Sequence, residues 1–556
     1  MAETDVTRIP IAIVGGGPVG LILALFLDSF GVRSVLFNTE KTTRWHPKGS
    51  TQGSRTMEHF RRLGIAGEIR KLGLPSDHPT DVAYFTRFGG IELARLRMPS
   101  TRETIQKVSE APKSDQVPEP IHRANQMYVE RFLFDHAKTR PNIVMRFGWH
   151  AENFEQDADG VRLTAVSEPD GTTQTWQAQY LVGCDGGRSQ IRRTLGIKFR
   201  GEAGLEQRYF GGRMFSTYVR APALYRDFLG HRRAWQYWAV NPEIRSSMIA
   251  VNGCDEFLFR TRASEPDQPP EDAAVVDAMR RCVGVDITMD IVAHEPWTAG
   301  MALVAERFAD RRVFLAGDAV HLFTPTGGFG MNTGIDDASN LAWKLAGILQ
   351  GWGGVELLAS YEIERLPIAL RNTEAARKLT ANIGETDVDP AMEQDTLAGE
   401  AARRAAAAML ANFGEQFASI GVQLGARYDG SPLITPDGPA PADNFIKYTP
   451  TSVPGGRVPH LWLDKKRIYG SSLYDRLGSG FTLLRLGPHA QDASAMMNAA
   501  ARQNIPLKVL DVPDTDARDL YERDLVVIRP DQHVAWRGNK SADPDRLLAQ
   551  AIASTT

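Results

Sequence analysis

Ile11-Ala-Ile-Val-Gly15-Gly-Gly17-Pro-Val-Gly20 places Gly15, Gly17 and Gly20 in a G-x-G-x-x-G spacing directly after the first apolar run of the chain. Residues 9–14 are short, apolar and β-branched, as a buried parallel strand requires. Residues 21–27, Leu-Ile-Leu-Ala-Leu-Phe-Leu, continue as an apolar helix. In a strand–turn–helix unit of this kind the first glycine permits the tight turn and the second lets backbone approach a pyrophosphate. The third lets the helix pack on the strand. Phosphate charge then meets the free N–H groups and the dipole of the helix N-terminus. The flanking strand and helix distinguish a dinucleotide site from a glycine-rich turn, so Gly15, Gly17, Pro18 and Gly20 are expected at a diphosphate.

A second strand over residues 32–37 ends on Asn38, with Glu40 two residues further. An acid near this strand end usually holds the ribose hydroxyls. Asn38 can bond a hydroxyl without bringing charge. Glu40 either takes that contact or faces solvent in a charged loop with Lys41 and Arg44.

Two later segments repeat the strand-then-glycine form. Asp185-Gly186 follows residues 180–183 and leads through Arg188-Ser189 into a short helix; by itself it also fits a turn and helix cap. Gly317-Asp318 follows residues 312–316 and runs on through His321, Pro325 and Gly330-Met331-Asn332 to a helix over residues 336–345. Asp318 is placed to accept from a ribityl hydroxyl. Backbone N–H groups at Gly330, Met331 and Asn332 can point at an electron-rich ring edge.

At 556 residues the chain is long enough for two or three domains. A net charge of -3 gives no electrostatic case for nucleic acid or an acidic membrane surface. Cys184, Cys254 and Cys282 suit neither a disulfide framework nor a zinc site, and are expected as buried thiols in a reducing cytosol. No metal site is expected. The acidic N-terminus is unlike a signal peptide. No apolar run reaches the roughly 18 residues of a membrane span, so a cytoplasmic protein is expected.

The order and sequences of the three segments resemble the single-component FAD-dependent aromatic hydroxylases, the group of p-hydroxybenzoate, phenol and chlorophenol hydroxylases. Arg55-Thr-Met-Glu58 is similar to the family segment after the second strand, and Gln126-Met-Tyr-Val-Glu130 to its flavin-contacting glutamine and helix. Residues 460–463, 480–484 and 527–536 resemble the C-terminal domain of its longer members. The resemblance implies FAD, with Gln126 and Asp318 at its diphosphate–ribityl portion and backbone of residues 330–332 at its pyrimidine edge. It implies NADH or NADPH as co-substrate. Asp185 would bear on that coenzyme, and Arg44 would meet a coenzyme phosphate or remain an exposed loop arginine. The implied reaction is hydride transfer to FAD and oxygen addition at flavin C4a. The hydroperoxide then delivers one oxygen to a phenolic or other electron-rich ring.

The implied fold is α/β. A Rossmann-like FAD-binding domain is expected over residues 1–80, 106–195 and 295–400, with an interleaved β-sheet substrate domain over 81–105 and 196–294. A thioredoxin-like α/β domain is expected over 430–556; it has no cysteine for dithiol chemistry and is assigned to packing or to a homodimer or higher oligomer. Helices are expected over 355–364, 374–379 and 399–413, and a Pro/Gly-rich linker over 430–442. Residues 209–219 and 234–240 alternate as sheet strands. Tyr218, His231, Trp235, Tyr237 and Trp297 either face the substrate or pack the sheet. The Pro325 carbonyl falls where the family turns an oxygen toward substrate, or Pro325 only stiffens its loop. No catalytic base stands out. The expected partners are a small aromatic molecule and O2, without nucleic acid or membrane. A Baeyer–Villiger or epoxidising monooxygenase acting on a polycyclic natural product, and a flavin dehydrogenase or oxidase, stay open as alternatives.

Overall fold

The computed structural model describes residues 6–203, 212–262, 268–299, 301–381, 388–411 and 419–554. The strand Val6–Val14, with Ile11, Ala12 and Ile13 wholly buried, lies in a mainly parallel sheet. The order there is Ala309–Asp310, Val313–Leu315, Thr173–Gly183, Val6–Val14, Ser34–Asn38, Ile143–Phe147. Neighbours run parallel except at the Ala309–Asp310 edge. The helix Pro18–Ser29 is apolar around most of its circumference. It can therefore bury one side on this sheet and the other on the long helix Phe329–Leu349, itself buried along most of its length.

Thr173–Gly183 changes partner along its length. Its first half pairs antiparallel with Val161–Ser167, and its last residues pair parallel with Val313–Leu315. Val14 lies opposite Gly183, and Gly183 opposite Leu315. The register thus brings all three glycine segments to the carboxyl ends of neighbouring strands, where open α/β sheets bind ligands.

A second sheet roofs this edge, in the order Asp290–Ala299, Gly212–Arg220, Glu256–Arg262, Arg245–Ala250, Gln236–Val240, Val82–Phe85, Glu92–Leu96. Its far face joins a core with the helix Asp272–Val283 through Tyr237, Met248, Phe257 and Phe259. The C-terminal sheet has the order Leu507–Val512, Phe481–Leu486, Leu525–Ile528, Val534–Gly538, parallel in its first pair and antiparallel in the others. With the helices Ser494–Arg502, Thr515–Tyr521 and Pro544–Ala551 this is the thioredoxin-like arrangement.

Three expectations change. The helices expected over 355–364 and 374–379 are one helix, Ser360–Ala381, running through Pro367; proline removes one backbone bond, and buried contacts from Glu364 and Arg365 hold the axis. The expected linker is partly core, since Leu433 packs against Phe481 and Leu525. Cys254 is exposed, Cys184 half-buried and Cys282 buried, so the thiols are not uniformly interior.

A buried ionic network crosses from the FAD-binding part to the C-terminal part. Glu58 accepts from Arg55 Nη1 at 2.9 Å and from Arg457 Nε at 3.0 Å. Glu364 accepts from Lys344 Nζ at 2.7 Å, Asn340 at 2.7 Å, Ser431 at 2.6 Å and both terminal nitrogens of Arg529 at 2.6 and 2.8 Å. Arg365 joins Asp336 and Asp337, and Arg529 also grips Asp531 at 2.6 Å. Burial alone would raise these carboxyls. The guanidinium charges overcome it and hold Glu58, Asp336, Asp337, Glu364 and Asp531 below the ordinary carboxylate range.

Their contribution to stability is complete above about pH 4–5 and drains away as pH falls below it. Glu364→Gln leaves buried Lys344 and Arg529 without full compensation and should cost about 3–5 kcal/mol in urea unfolding. Glu400→Gln, which breaks the exposed pair with Arg404, should cost within about 0.5 kcal/mol. Equal small losses would show that the network does not hold the fold.

Candidate functional site

Gly15 has φ 113° and packs against the second segment so closely that a side chain would run into the Cys184 carbonyl. A side chain on Gly20 would meet the Gly15 carbonyl, so this glycine serves packing. Gly17 is different: nothing surrounds the place its side chain would take. It is the N-cap of Pro18–Ser29, which has no side-chain cap and carries Pro18 in its first turn. The first N–H groups of that helix are thus available at an open cradle, which fits a diphosphate.

The cleft before this turn has a volume of about 600 Å³. Gly15, Gly17 and Pro18 line one end, and Asp318, Pro325, Gly330 and Met331 the other. Asn38, Glu40 and Arg44 lie at the rim, with Glu40 and Arg44 exposed. Asn38 works inward. Its Oδ1 accepts from Gly16 N–H at 3.0 Å and its Nδ2 donates to the Glu40 carbonyl at 3.3 Å. Gly16 packs against Asn38 and Phe147, which leaves no room for a side chain there, although it stands outside the G-x-G-x-x-G spacing.

Asp185 Oδ2 accepts from Ile191 N–H at 3.1 Å, so the helix-cap alternative describes this bond, while Oδ1 is buried without a partner at the cleft. Gln126 opens the helix Gln126–Lys138; its backbone N–H donates to the Gly49 carbonyl at 2.7 Å and its Nε2 to Glu130 at 3.1 Å. Asp318 presents its carboxylate to the cleft although protein encloses the site. That enclosure raises its pKa, partly offset by the charges of His321, Lys48 and Arg44. Asp337 fixes the turn from behind, accepting from Gly317 N–H at 3.1 Å and pairing with His321 Nε2 at 2.7 Å.

The Asn332 side chain has a task of its own. Its Oδ1 accepts from Gly53 N–H and Thr56 Oγ1, and its Nδ2 donates to the Thr51 and Gly328 carbonyls. The side chain is consumed in clamping the residue 51–56 segment, so only its backbone remains to offer a ligand.

A second cavity, about 300 Å³, lies between the turn at residues 325–331 and the roof sheet. It shares Lys48, Gln126, Pro325, Gly328, Gly330 and Met331 with the cleft. The Pro325 carbonyl accepts from Gly328 N–H at 3.2 Å within a turn made by Gly327 and Gly328 at φ 81° and 67°, so that oxygen is engaged locally.

Strand alternation sorts the aromatic candidates. Gln236 and Trp238 face the cavity, which turns Tyr237 to the opposite core. There its hydroxyl accepts from Ala234 N–H at 2.7 Å and lies 3.1 Å from the Tyr225 hydroxyl. Tyr237 therefore does not face the substrate space. Tyr218 shares a face with Ser216 but lies beyond the cavity lining, its ring 6.3 Å from His46, and burial with the neighbouring Glu256 pushes its phenol up. His231 sits in an exposed turn outside both cavities. Trp235 lines the cavity and donates to Ser50 Oγ at 2.9 Å. The Trp297 side chain lies outside the described residues. Arg123, Trp238, Arg260 and Glu295 also line the cavity; nothing in their local sequence signals it, because strand pairing alone brings them there.

Residues 8–376 match the FAD binding domain family and residues 451–555 the aromatic-ring hydroxylase C-terminal family. The chain belongs to the FAD-dependent aromatic hydroxylases. An FAD-dependent monooxygenase of Emericella nidulans is 30% identical, over 97% of this chain and 90% of its own length. The 2,4-dichlorophenol 6-monooxygenase of Delftia acidovorans is 29% identical, over 99% and 98%. The solved structure of the rebeccamycin biosynthetic enzyme RebC with reduced flavin superposes with a TM-score of 0.87 at 33% identity, covering 99% of both chains. Among the described residues of this hydroxylase, no helix is long and apolar enough to cross a membrane. Asp318→Ala should raise the FAD dissociation constant at least about tenfold, the loss of a charged hydrogen bond, read from flavin fluorescence on release. Unchanged FAD occupancy would remove Asp318 from the cofactor site.

Proposed function

We propose that this hydroxylase uses NADH or NADPH and O2 to place one oxygen on a phenolic or other electron-rich aromatic ring. The supporting observation is that the diphosphate-fitting cleft and the roofed cavity meet at one turn, residues 325–331. FAD, when bound, accepts hydride from the nicotinamide and activates O2, chemistry that side chains do not supply.

The chain's own residues bind and orient. The Pro18–Ser29 N-terminus receives the diphosphate, and Asp318 accepts from the ribityl chain, with Gln126 beside it. The helix Phe329–Leu349 has no side-chain cap. Its first N–H groups, near Gly330 and Met331, stabilise negative charge on the ring edge. Trp235, Trp238, Ile249 and Leu258 give the cavity apolar walls that exclude water and hold an aromatic ring in place.

Relatives named as polyketide hydroxylases, including one of Streptomyces halstedii at 31% identity over 97% of this chain, support extending the substrate class to fused aromatic rings. The direct test supplies 18O2, NAD(P)H and a panel of hydroxynaphthalenes. Hydroxylation predicts coenzyme oxidation stimulated by the substrate and one 18O per product. Label from water only, or substrate oxidation without NAD(P)H, would point instead to a dehydrogenase or oxidase.

A further inference from the structure

Among the described residues, the charged side chains lining the roofed cavity are Lys48, Arg123, Arg260 and Glu295, with His46 beside them. Glu295 is already shared, lying 3.9 Å from Lys48 Nζ and 3.7 Å from His46 Nδ1.

Arg123 is the sharpest case. The residue is 5% exposed, and no carboxylate among the described residues pairs with it. Nη1 donates to Thr51 Oγ1, Nη2 meets only the Met98 sulfur at 4.0 Å, and Nε has no partner. Burial alone pulls the guanidinium down to about 9. The group is held in place: its carbon lies 3.8 Å from the centroid of the Trp235 ring, Trp235 is pinned through Ser50, and the Arg123 backbone pairs with Thr51. A buried cation without a counter-charge is unfavourable unless a partner arrives from elsewhere. Such positions cluster where ligands bind. Arg260 faces the same space from the roof strand Glu256–Arg262, directly across from Ser216 and Ser247.

We propose that the substrate carries an anionic oxygen, a carboxylate or an ionised phenol, and that Arg123 receives it in this cavity with Arg260 as the second cation. The planar guanidinium fork suits paired oxygens, and the Trp235 ring keeps it from turning away. The inference rests on the aromatic-hydroxylase reading for what enters the cavity, and it narrows that class to aromatic acids and phenols that bind ionised.

The test is equilibrium binding to FAD-loaded protein, read from the flavin absorption spectrum, with 3-hydroxy-2-naphthoate, its primary amide and 2-naphthol. Where the anion is a carboxylate, the acid should bind about 10- to 100-fold more tightly than the amide at pH 7. Arg123→Met should abolish that preference while the affinity for the amide changes less than about twofold, and Arg123→Lys should keep part of it. If the anion is a phenolate, 2-naphthol affinity should climb as pH approaches its ionisation in the native protein and stay flat in Arg123→Met. If it is a carboxylate, only the acid shows the preference.

Equal binding of acid and amide together with a 2-naphthol affinity that stays flat with pH, no binding of either anionic probe, or a preference that survives Arg123→Met would overturn the proposal. So would loss of FAD from Arg123→Met, which would assign the cation to the cofactor. No turnover is measured, so a failed hydroxylation assay and a failed anion preference are separate results.

Discussion

The buried ion network around Glu364, Arg365 and Arg529 is the constraint on which the rest of the molecule depends. Its members come from the helices Phe329–Leu349 and Ser360–Ala381 and from the C-terminal segment. Wholly buried charges tolerate almost no misplacement, because a shifted partner leaves an uncompensated ion in a medium of low polarity. Replacing such a network with apolar side chains can be as stable. The ionic version has a narrower geometric tolerance, and that tolerance is imposed on Phe329–Leu349.

This helix also builds the ligand site. Its N-terminus emerges at Gly330 and Met331, where cleft and cavity meet. About two turns later, Asp337 pins the Gly317-Asp318 turn and binds Arg365. A path of direct hydrogen bonds thus runs from Asp531 through Arg529 and Glu364 to Lys344, on the same helix whose N-terminus lines both the cleft and the roofed cavity. A cysteine-free thioredoxin-like domain has in this arrangement a structural use independent of redox chemistry.

Much of the cofactor end was legible in the sequence because its constraints are local. Gly15 and Gly20 are read from spacing, as both are dictated by backbone contact within a strand–turn–helix unit. What escaped depends on partners distant in sequence. Tyr237 and Trp238 are adjacent aromatic residues, and only the strand's period of two decides which faces the cavity. Asn332 sits in the expected motif, yet its side chain is taken by Thr51, Gly53 and Thr56. The two helices expected over 355–364 and 374–379 merge across Pro367 because Glu364 and Arg365 are buried beside it. Arg123 has no signal at all: a lone arginine before a helix reads as surface charge, and only pairing with Thr51 and the cover of Trp235 turn it into a cavity wall.

Through this network the C-terminal domain holds the helix Phe329–Leu349, and with it the cleft proposed for FAD. The most direct measurement is the FAD dissociation constant of Arg529→Met, compared with the native protein at equal secondary-structure content. Severing the clamp should weaken FAD binding about tenfold or more while the far-ultraviolet spectrum stays unchanged. Native FAD affinity in that variant would show that the N-terminal end of Phe329–Leu349 is placed without the network, and would contradict this dependence.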